Sequence, residues 1–308
     1  MAESGLNGFN LKKEKIKEEN FWMNDVGVGE KIESGMLTIN KFKPYGLTAA
    51  MTTKELGNMS YSKGNKKLAE ANFARAVGIL GIRPSRTPVF VLNATHSNNI
   101  VYVKPVESVT GRNVLLRNSE HILRLHTPRG VFIPPSSMPN REKGVDAAIT
   151  KNPNLYLAIC AADCAVVMLF DPKTNVFGIS HAGAIGLFSQ IIPSTILQMA
   201  NLFGANPKDI LCYIPPCVKK ESYRLRESNL WRSILREQVP EDMGLDFDLR
   251  ELILTQLIEV GINKDNIGVS DLCTYEANLF FSSGRAKTPL AKKQEGRNMV
   301  IFGGSNVF

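Results

Sequence analysis

The sequence predicts a single domain of the α/β class. From Leu37 onward, short apolar runs of strand length alternate with amphipathic segments of helical spacing, which is typical of a chain that packs helices against a sheet. No linker, internal repeat or low-complexity tract divides the 308 residues, and a hydrophobic content of 44% suffices to bury a large core. We therefore expect one folded unit rather than two.

Strands are predicted where apolar runs are short, and helices where apolar residues recur at a spacing of three or four. Glycines close two of the helical stripes, as at many helix C-termini, and Pro193 must either kink the third or mark a new start. In chain order the predicted elements are a helix over 73–80 closed by Gly81, strands over 89–92, 100–103, 155–159, 165–170 and 176–180, a helix over 186–202, and a helix over 249–257 closed by Gly261.

The composition of the chain predicts a polar N-terminal extension over residues 1–34, followed by the folded domain over 35–308. The first twenty residues are rich in lysine and glutamate and lack the apolar stretch of a signal peptide. No later segment holds about 18 unbroken apolar residues. Five cysteines without regular spacing favour reduced thiols over a disulfide framework. We therefore expect a cytoplasmic protein that does not enter a membrane.

The formal charge of +8 suits either a nucleic acid or a small anion such as phosphate. The most one-sided basic stretch runs from Arg285 to Arg297 and contains no aromatic residue, so it offers no stacking platform for single strands. We expect a small anionic substrate rather than a nucleic acid.

His181 stands where a predicted strand turns into a predicted helix. In α/β folds ligands bind at such junctions, because the free backbone N–H groups at the start of a helix favour anions. Gly183 and Gly186 follow, and both allow a ligand to approach the backbone closely. The alternative is a histidine that simply ends a buried strand.

Cys164 lies between two apolar runs and directly after Asp163. A free cysteine is often only a small buried hydrophobe. A buried carboxylate, however, needs hydrogen-bond partners, so Asp163 is expected to shape a turn or to orient a neighbour. Together Cys164 and His181 could share a metal or act as nucleophile and base. His96 lies in a turn between two predicted strands, whereas His121 and His126 lie in a polar segment and are expected at the surface.

Several short segments, taken in order, resemble one family. Each is weak alone, but their order and spacing agree from about Gly46 to Gly303, which is most of the chain. The chain resembles the laccase-domain or polyphenol oxidase family, whose members are described as purine nucleoside phosphorylases. The segments are Thr95-His96, Val145-Asp146-Ala147, Ala162-Asp163-Cys164, His181-Ala182-Gly183, Pro216-Cys217-Val218, Cys273-Thr274-Tyr275, Phe280-Phe281-Ser282 and Gly296-Arg297.

The resemblance implies a single α/β (α+β) domain of mixed sheets with packed helices. It implies a zinc site formed by His96, Cys164 and His181, and cleavage of adenosine and related nucleosides by phosphate to the free base and ribose-1-phosphate. Adenosine deamination and methylthioadenosine phosphorolysis accompany this activity in the family. On this basis Cys164, His181 and Asp163 are the candidate catalytic residues, and Arg285, Arg297 and Gly183 are the candidates for binding substrate and phosphate.

The chemistry of the three metal ligands agrees with a catalytic zinc. Three nitrogen and sulfur ligands leave one tetrahedral position open, and zinc lowers the pKa of a water that it binds to about 7. A metal-free alternative uses Cys164 as a nucleophile and His181 as its base, which is a hydrolase pattern that requires a depressed thiol pKa. A multicopper laccase needs many histidines in His-x-His pairs, since imidazole suits copper. This chain has four histidines and no such pair, which excludes multicopper chemistry.

Two departures from the family pattern matter for function. The family usually carries Trp and Arg after His-Ala-Gly, where this chain has Ala184 and Ile185, and a second arginine often precedes the one at Arg285. Isoleucine in place of arginine removes a planar donor fork suited to phosphate. The departures favour, as an alternative, a catalytically impaired member that binds a ligand or a partner.

Overall fold

The computed structural model describes residues 29–61, 64–83, 87–104, 122–125, 144–223, 248–286 and 295–305. Among these residues it contains thirteen strands and four α-helices. The strands are β1 (Glu30–Glu33), β2 (Met36–Ile39), β3 (Leu47–Thr52), β4 (Val89–Leu92), β5 (Ile100–Val103), β6 (Ile122–Leu125), β7 (Ala147–Thr150), β8 (Tyr156–Ala161), β9 (Ala165–Asp171), β10 (Val176–Ala182), β11 (Leu211–Ile214), β12 (Ile267–Val269) and β13 (Asn298–Ser305). The helices are α1 (Lys66–Ile79), α2 (Ala184–Phe188), α3 (Ile191–Phe203) and α4 (Leu249–Glu259).

The strands form two mixed sheets. The first has six strands in the order β1-β2-β3-β13-β8-β4, and the second has seven in the order β12-β11-β9-β10-β7-β5-β6. Within the first sheet β4 pairs in parallel with β8, and within the second β5 and β12 pair in parallel with β7 and β11. The remaining pairs are antiparallel. The predicted single domain with mixed sheets and packed helices is confirmed.

The two sheets pack face to face, and helices cover their outer faces. The alternation along β9 shows why: Val166, Met168 and Phe170 point into the core between the sheets, whereas Val167 and Leu169 point toward α2, α3 and α4. A smaller core lies between the first sheet and α1. Central strands are therefore buried on both faces and read as unbroken apolar runs in the sequence.

The predicted elements agree with the observed ones apart from their exact ends. The helix predicted over 186–202 is two helices, because the chain turns at Gln190, whose φ of 59° is left-handed. Pro193 therefore lies in the first turn of α3, where its missing N–H breaks no helical bond. Of the two predictions for Pro193, a kink or the start of a new helix, the start of a new helix is confirmed. Gly81 and Gly261 follow α1 and α4 with positive φ, as predicted.

Parts of the sequence-based predictions fall outside the described residues. This applies to residues 1–28 of the predicted extension and to both His121 and His126. At the end of the predicted extension, residues 30–33 form β1, which pairs with β2. The domain boundary after residue 34 stays a prediction. Among the described residues, no helix is both long and apolar enough to cross a bilayer.

Candidate metal and active site

The predicted site residues lie together at one end of the central strands of the second sheet. His181 and Ala182 end β10 and pair with the beginning of the antiparallel strand β9, so Cys164 lies beside them. The first residue of β7, Ala147, pairs with Ser180 on one side and with Ile100 of β5 on the other. The turn that carries His96 precedes β5 and therefore lies at the same end of these strands. The sheet register thus joins residues that are far apart in the sequence.

His96, Cys164 and His181 form the one group of potential metal ligands found among the described residues. Their ligand atoms all lie within 4.8 Å of one another. Cys164 Sγ lies 3.7 Å from His96 Nε2, and the two imidazole rings meet edge to face with centroids 5.0 Å apart. His181 is buried, whereas His96 and Cys164 are partly exposed. The cluster can therefore be reached from solvent on one side.

Asp146 connects the two histidines. Its Oδ1 accepts hydrogen bonds from the backbone N–H of His96 and from Nδ1 of His181, both at 2.9 Å. Its Oδ2 accepts from the N–H and the hydroxyl of Ser97 at 2.8 and 2.6 Å, and from the N–H of Thr95 at 3.1 Å. Although burial opposes the charge, these hydrogen bonds and His181 lower the pKa of Asp146. Asp146 is therefore a carboxylate enclosed by donors.

The charges of the cluster prepare it for a metal ion. Burial alone would raise the pKa of the Cys164 thiol, but hydrogen bonds and charge from His181 and His96 outweigh it and lower the pKa to about 5. Burial likewise opposes the charged form of His181, yet Asp146 and Cys164 raise its pKa to about 10. The thiolate is the form of cysteine that binds metal. The lowered pKa of Cys164 therefore favours the form that a metal ion binds.

Gly183 keeps the space beside the cluster open. A Cβ at this position would lie 2.9 Å from Cδ2 of His96 and 3.1 Å from Sγ of Cys164, closer than such atoms normally approach. The donor set of two imidazoles and one thiolate suits zinc, with one coordination position left for a further ligand. The residues present therefore fit a zinc ion.

Asp163 joins three loops around Cys164. Its φ of 81° is left-handed, and its carbonyl accepts from the N–H of Val218. Its carboxylate accepts from the hydroxyls of Thr274 and Ser282 at 2.9 and 3.0 Å and from the N–H of Gly284 at 2.6 Å. The expectation that Asp163 needs hydrogen-bond partners and shapes a turn is confirmed, and its catalytic role stays a prediction.

The two predicted anion-binding arginines both bond to protein atoms. The guanidinium of Arg285 donates to the carbonyl oxygens of Ala277, at 3.3 Å, and Phe280. That of Arg297 donates to the carbonyl of Gly296 and to the carboxylate of Glu295 at 3.1 Å. These contacts stabilise the loops in which the arginines lie. Binding of phosphate by either arginine stays a prediction.

The residues that replace the family's Trp and Arg are buried. Ala184 and Ile185 are 8% and 1% exposed and belong to the core beneath the second sheet. The first turn of α2 therefore packs against apolar side chains and presents no cation at these two positions.

Asp146 and Tyr223 lie at the site although neither was predicted to have a role there. Asp146 belongs to the family segment Val145-Asp146-Ala147 and lies directly before an apolar run. His181 lies directly after the strand predicted over 176–180, and the same kind of position could have identified Asp146. Tyr223 lies six residues after Cys217 and packs on the core. Burial raises the pKa of its phenol, as do the negative charges of Cys164 and Asp163. The phenol therefore stays protonated near the cluster, and nothing in the sequence signalled it.

The chain belongs to the family described as multi-copper polyphenol oxidoreductase laccases, whose model matches residues 48–303. The family predicted from the ordered segments is confirmed. The protein named purine nucleoside phosphorylase YlmD from Bacillus subtilis is 31% identical over 170 residues, which are 52% of this chain and 59% of that protein. A purine nucleoside phosphorylase from Streptomyces coelicolor is 39% identical over 148 residues, which are 47% of this chain and 60% of that protein.

A solved structure has the same fold. The hypothetical protein YfiH of Bacillus licheniformis superimposes with a TM-score of 0.66 and 23% identity, covering 89% of this chain and 98% of its own. At this identity the likeness concerns the fold alone. The chain matches less than two thirds of the length of these two curated relatives.

Proposed function

We propose that this chain is a zinc-dependent purine nucleoside phosphorylase that converts adenosine and phosphate to adenine and ribose-1-phosphate. The observation that carries the proposal is the group of His96, Cys164 and His181, whose ligand atoms lie within 4.8 Å of one another in a chain of this family. The names of the relatives supply the substrate class. Adenosine deamination and methylthioadenosine phosphorolysis are proposed as accompanying activities of the same site.

His96, Cys164 and His181 would hold the zinc ion. When bound, zinc supplies Lewis-acid chemistry: it polarises an oxygen or nitrogen atom and stabilises developing negative charge. Because Nδ1 of His181 lies against the carboxylate of Asp146, that carboxylate would hold a proton on Nδ1 and leave the other ring nitrogen for the metal. Asp163 orients the backbone at Cys164 through its contacts to Thr274 and Ser282.

Phosphorolysis also needs a pocket for an anion. We propose Arg285, Arg297 and the open backbone at Gly183 for this purpose. Each guanidinium carries five N–H donors, and the contacts above use two of them on each arginine. The free thiols of all five cysteines agree with the cytoplasm as the proposed compartment.

A second function is favoured by the same arginines and by Ile185. Ile185 is buried and both guanidinium groups already bond to the protein, so these three residues would not bind phosphate. The chain would then bind a nucleoside or a partner without cleaving it. A Cys-His hydrolase is the third function, favoured by the lowered pKa of Cys164.

Chromatography of zinc-loaded protein incubated with adenosine, with and without phosphate, tests these functions. We expect adenine to form only when phosphate is present, and a loss of at least about 100-fold in rate for His181→Ala, because removal of one metal ligand disrupts the site. A thermal shift with adenosine but no product would favour the binding protein. Stoichiometric alkylation of Cys164 in metal-free protein, together with zinc content far below one equivalent in the purified protein, would favour the hydrolase.

A further inference from the structure

We propose that Asp146 is a positioning residue that sets both histidines for the metal and supplies a second negative charge that favours a divalent ion. This inference rests on the metal site proposed above. It concerns a residue that holds the ligands and is not itself a ligand.

The first contact fixes the imidazole of His181. Oδ1 of Asp146 lies 2.9 Å from Nδ1, and the backbone N–H of His181 donates to the carbonyl of Asp146 at 2.7 Å. Both side chains are buried, with Asp146 and His181 0% and 3% exposed. A carboxylate on Nδ1 holds the proton there and leaves Nε2 with a lone pair for the metal.

The second set of contacts places His96. The backbone N–H groups of Thr95, His96 and Ser97 all donate to the carboxylate of Asp146, and the Ser97 hydroxyl adds a fourth donor. Three successive N–H groups around an anion form a concave anion-binding turn. His96 lies at its centre with a left-handed φ of 62°, which is uncommon for a non-glycine residue. The carboxylate stabilises this conformation and thereby the direction of the His96 side chain.

The charges around the cluster favour a divalent ion. The enclosed site holds a carboxylate at Asp146 and, when metal is bound, a thiolate at Cys164, while both imidazoles are neutral. Two negative charges balance Zn²⁺ and exceed the charge of Cu⁺. Since the Coulomb energy is proportional to the charge of the ion, loss of the Asp146 charge weakens the binding of Zn²⁺ more than that of Cu⁺.

The test is Asp146→Asn, with the affinities for Zn²⁺ and Cu⁺ measured by competition against chromophoric chelators. We expect the Zn²⁺ affinity to fall by about 10- to 100-fold, as is typical when a partner of a ligating histidine is removed, and the Cu⁺ affinity to fall by a smaller factor. Asp171→Asn is the matched control. Asp171 is a buried aspartate at the opposite end of β9 that accepts hydrogen bonds from Lys173 and Thr174, so its variant should keep both affinities within about threefold of the wild type. Equal losses for the two ions in Asp146→Asn, or no loss, would overturn the proposal.

A measurement on the wild type keeps the proposal testable if Asp146→Asn does not fold. Nitrogen-15 spectra of the zinc-loaded protein should show Nδ1 of His181 protonated and Nε2 bound to metal, and metal bound through Nδ1 would contradict the proposal. Absence of stoichiometric zinc binding in the wild type would instead refute the proposed metal site. The two failures are therefore distinguishable.

Discussion

Gly183 is the residue at which the space around the proposed metal ligands can be tested without removing a ligand. Its φ of −80° is accessible to any residue, so a substitution here tests space rather than backbone strain. In Gly183→Ala the new methyl group would press on Cδ2 of His96 and Sγ of Cys164. Overpacking of this kind costs about 1–3 kcal/mol, and we expect zinc affinity to fall by about tenfold or more.

The control for this prediction is Gly78→Ala. Gly78 lies within α1, where a Cβ meets no atom within 4 Å. Alanine in a helix interior is favoured over glycine by roughly 0.5–1 kcal/mol, so the control should be slightly more stable and bind zinc as the wild type does. Isothermal titration of both variants measures the difference. Equal zinc affinity in the two variants would contradict the close packing of Gly183 on the cluster.

At the scale of elements, the loops around Asp163 act as one unit because they share a single carboxylate. Thr274→Val and Ser282→Ala each remove one hydroxyl donor to Asp163 and leave a partly buried acceptor without that bond. We expect each variant to lose about 1–2 kcal/mol of unfolding free energy. Because both hydroxyls bind the carboxylate of Asp163, the loss of unfolding free energy in the double variant should differ from the sum of the two single losses by at least about 0.5 kcal/mol.

Urea unfolding of the two single variants and the double variant measures this coupling. Ser222→Ala serves as the comparison, since its hydroxyl donates to Glu276 at an exposed position; a change within about 0.5 kcal/mol is expected there. Strict additivity of Thr274→Val and Ser282→Ala would contradict this coupling and show that the two hydroxyls contribute independently of each other.

For the whole molecule, the sequence predicted the parts that depend on local pattern. Strands buried on both faces gave unbroken apolar runs, and the histidine and cysteine at their ends were recognisable as candidate ligands. The role of Asp146 depends on β5 and β7 pairing in parallel, which brings residues 95–97 to a carboxylate about fifty positions later. No local pattern encodes that pairing. The bonds that Arg285 and Arg297 make to loop atoms were not foreseen either, although their partners lie within eight residues along the chain.

The same register would make global stability depend on the proposed metal ion. The three ligands come from the turn before β5, the residue before β9 and the end of β10, so a bound ion would link three of the seven strands of the second sheet. An ion that binds only the folded state stabilises it by about 2.7 kcal/mol at a free concentration of 100 times Kd. For a chain of this size that corresponds to a rise in Tm of about 5 °C. We therefore expect a chelator to lower the Tm of the zinc-loaded wild type by about this amount and to leave the Tm of His181→Ala almost unchanged. Differential scanning calorimetry with and without chelator measures both shifts. An equal drop in the two proteins would place the stabilising ion outside His96, Cys164 and His181, because a site that has lost one of its ligands should no longer respond to chelation.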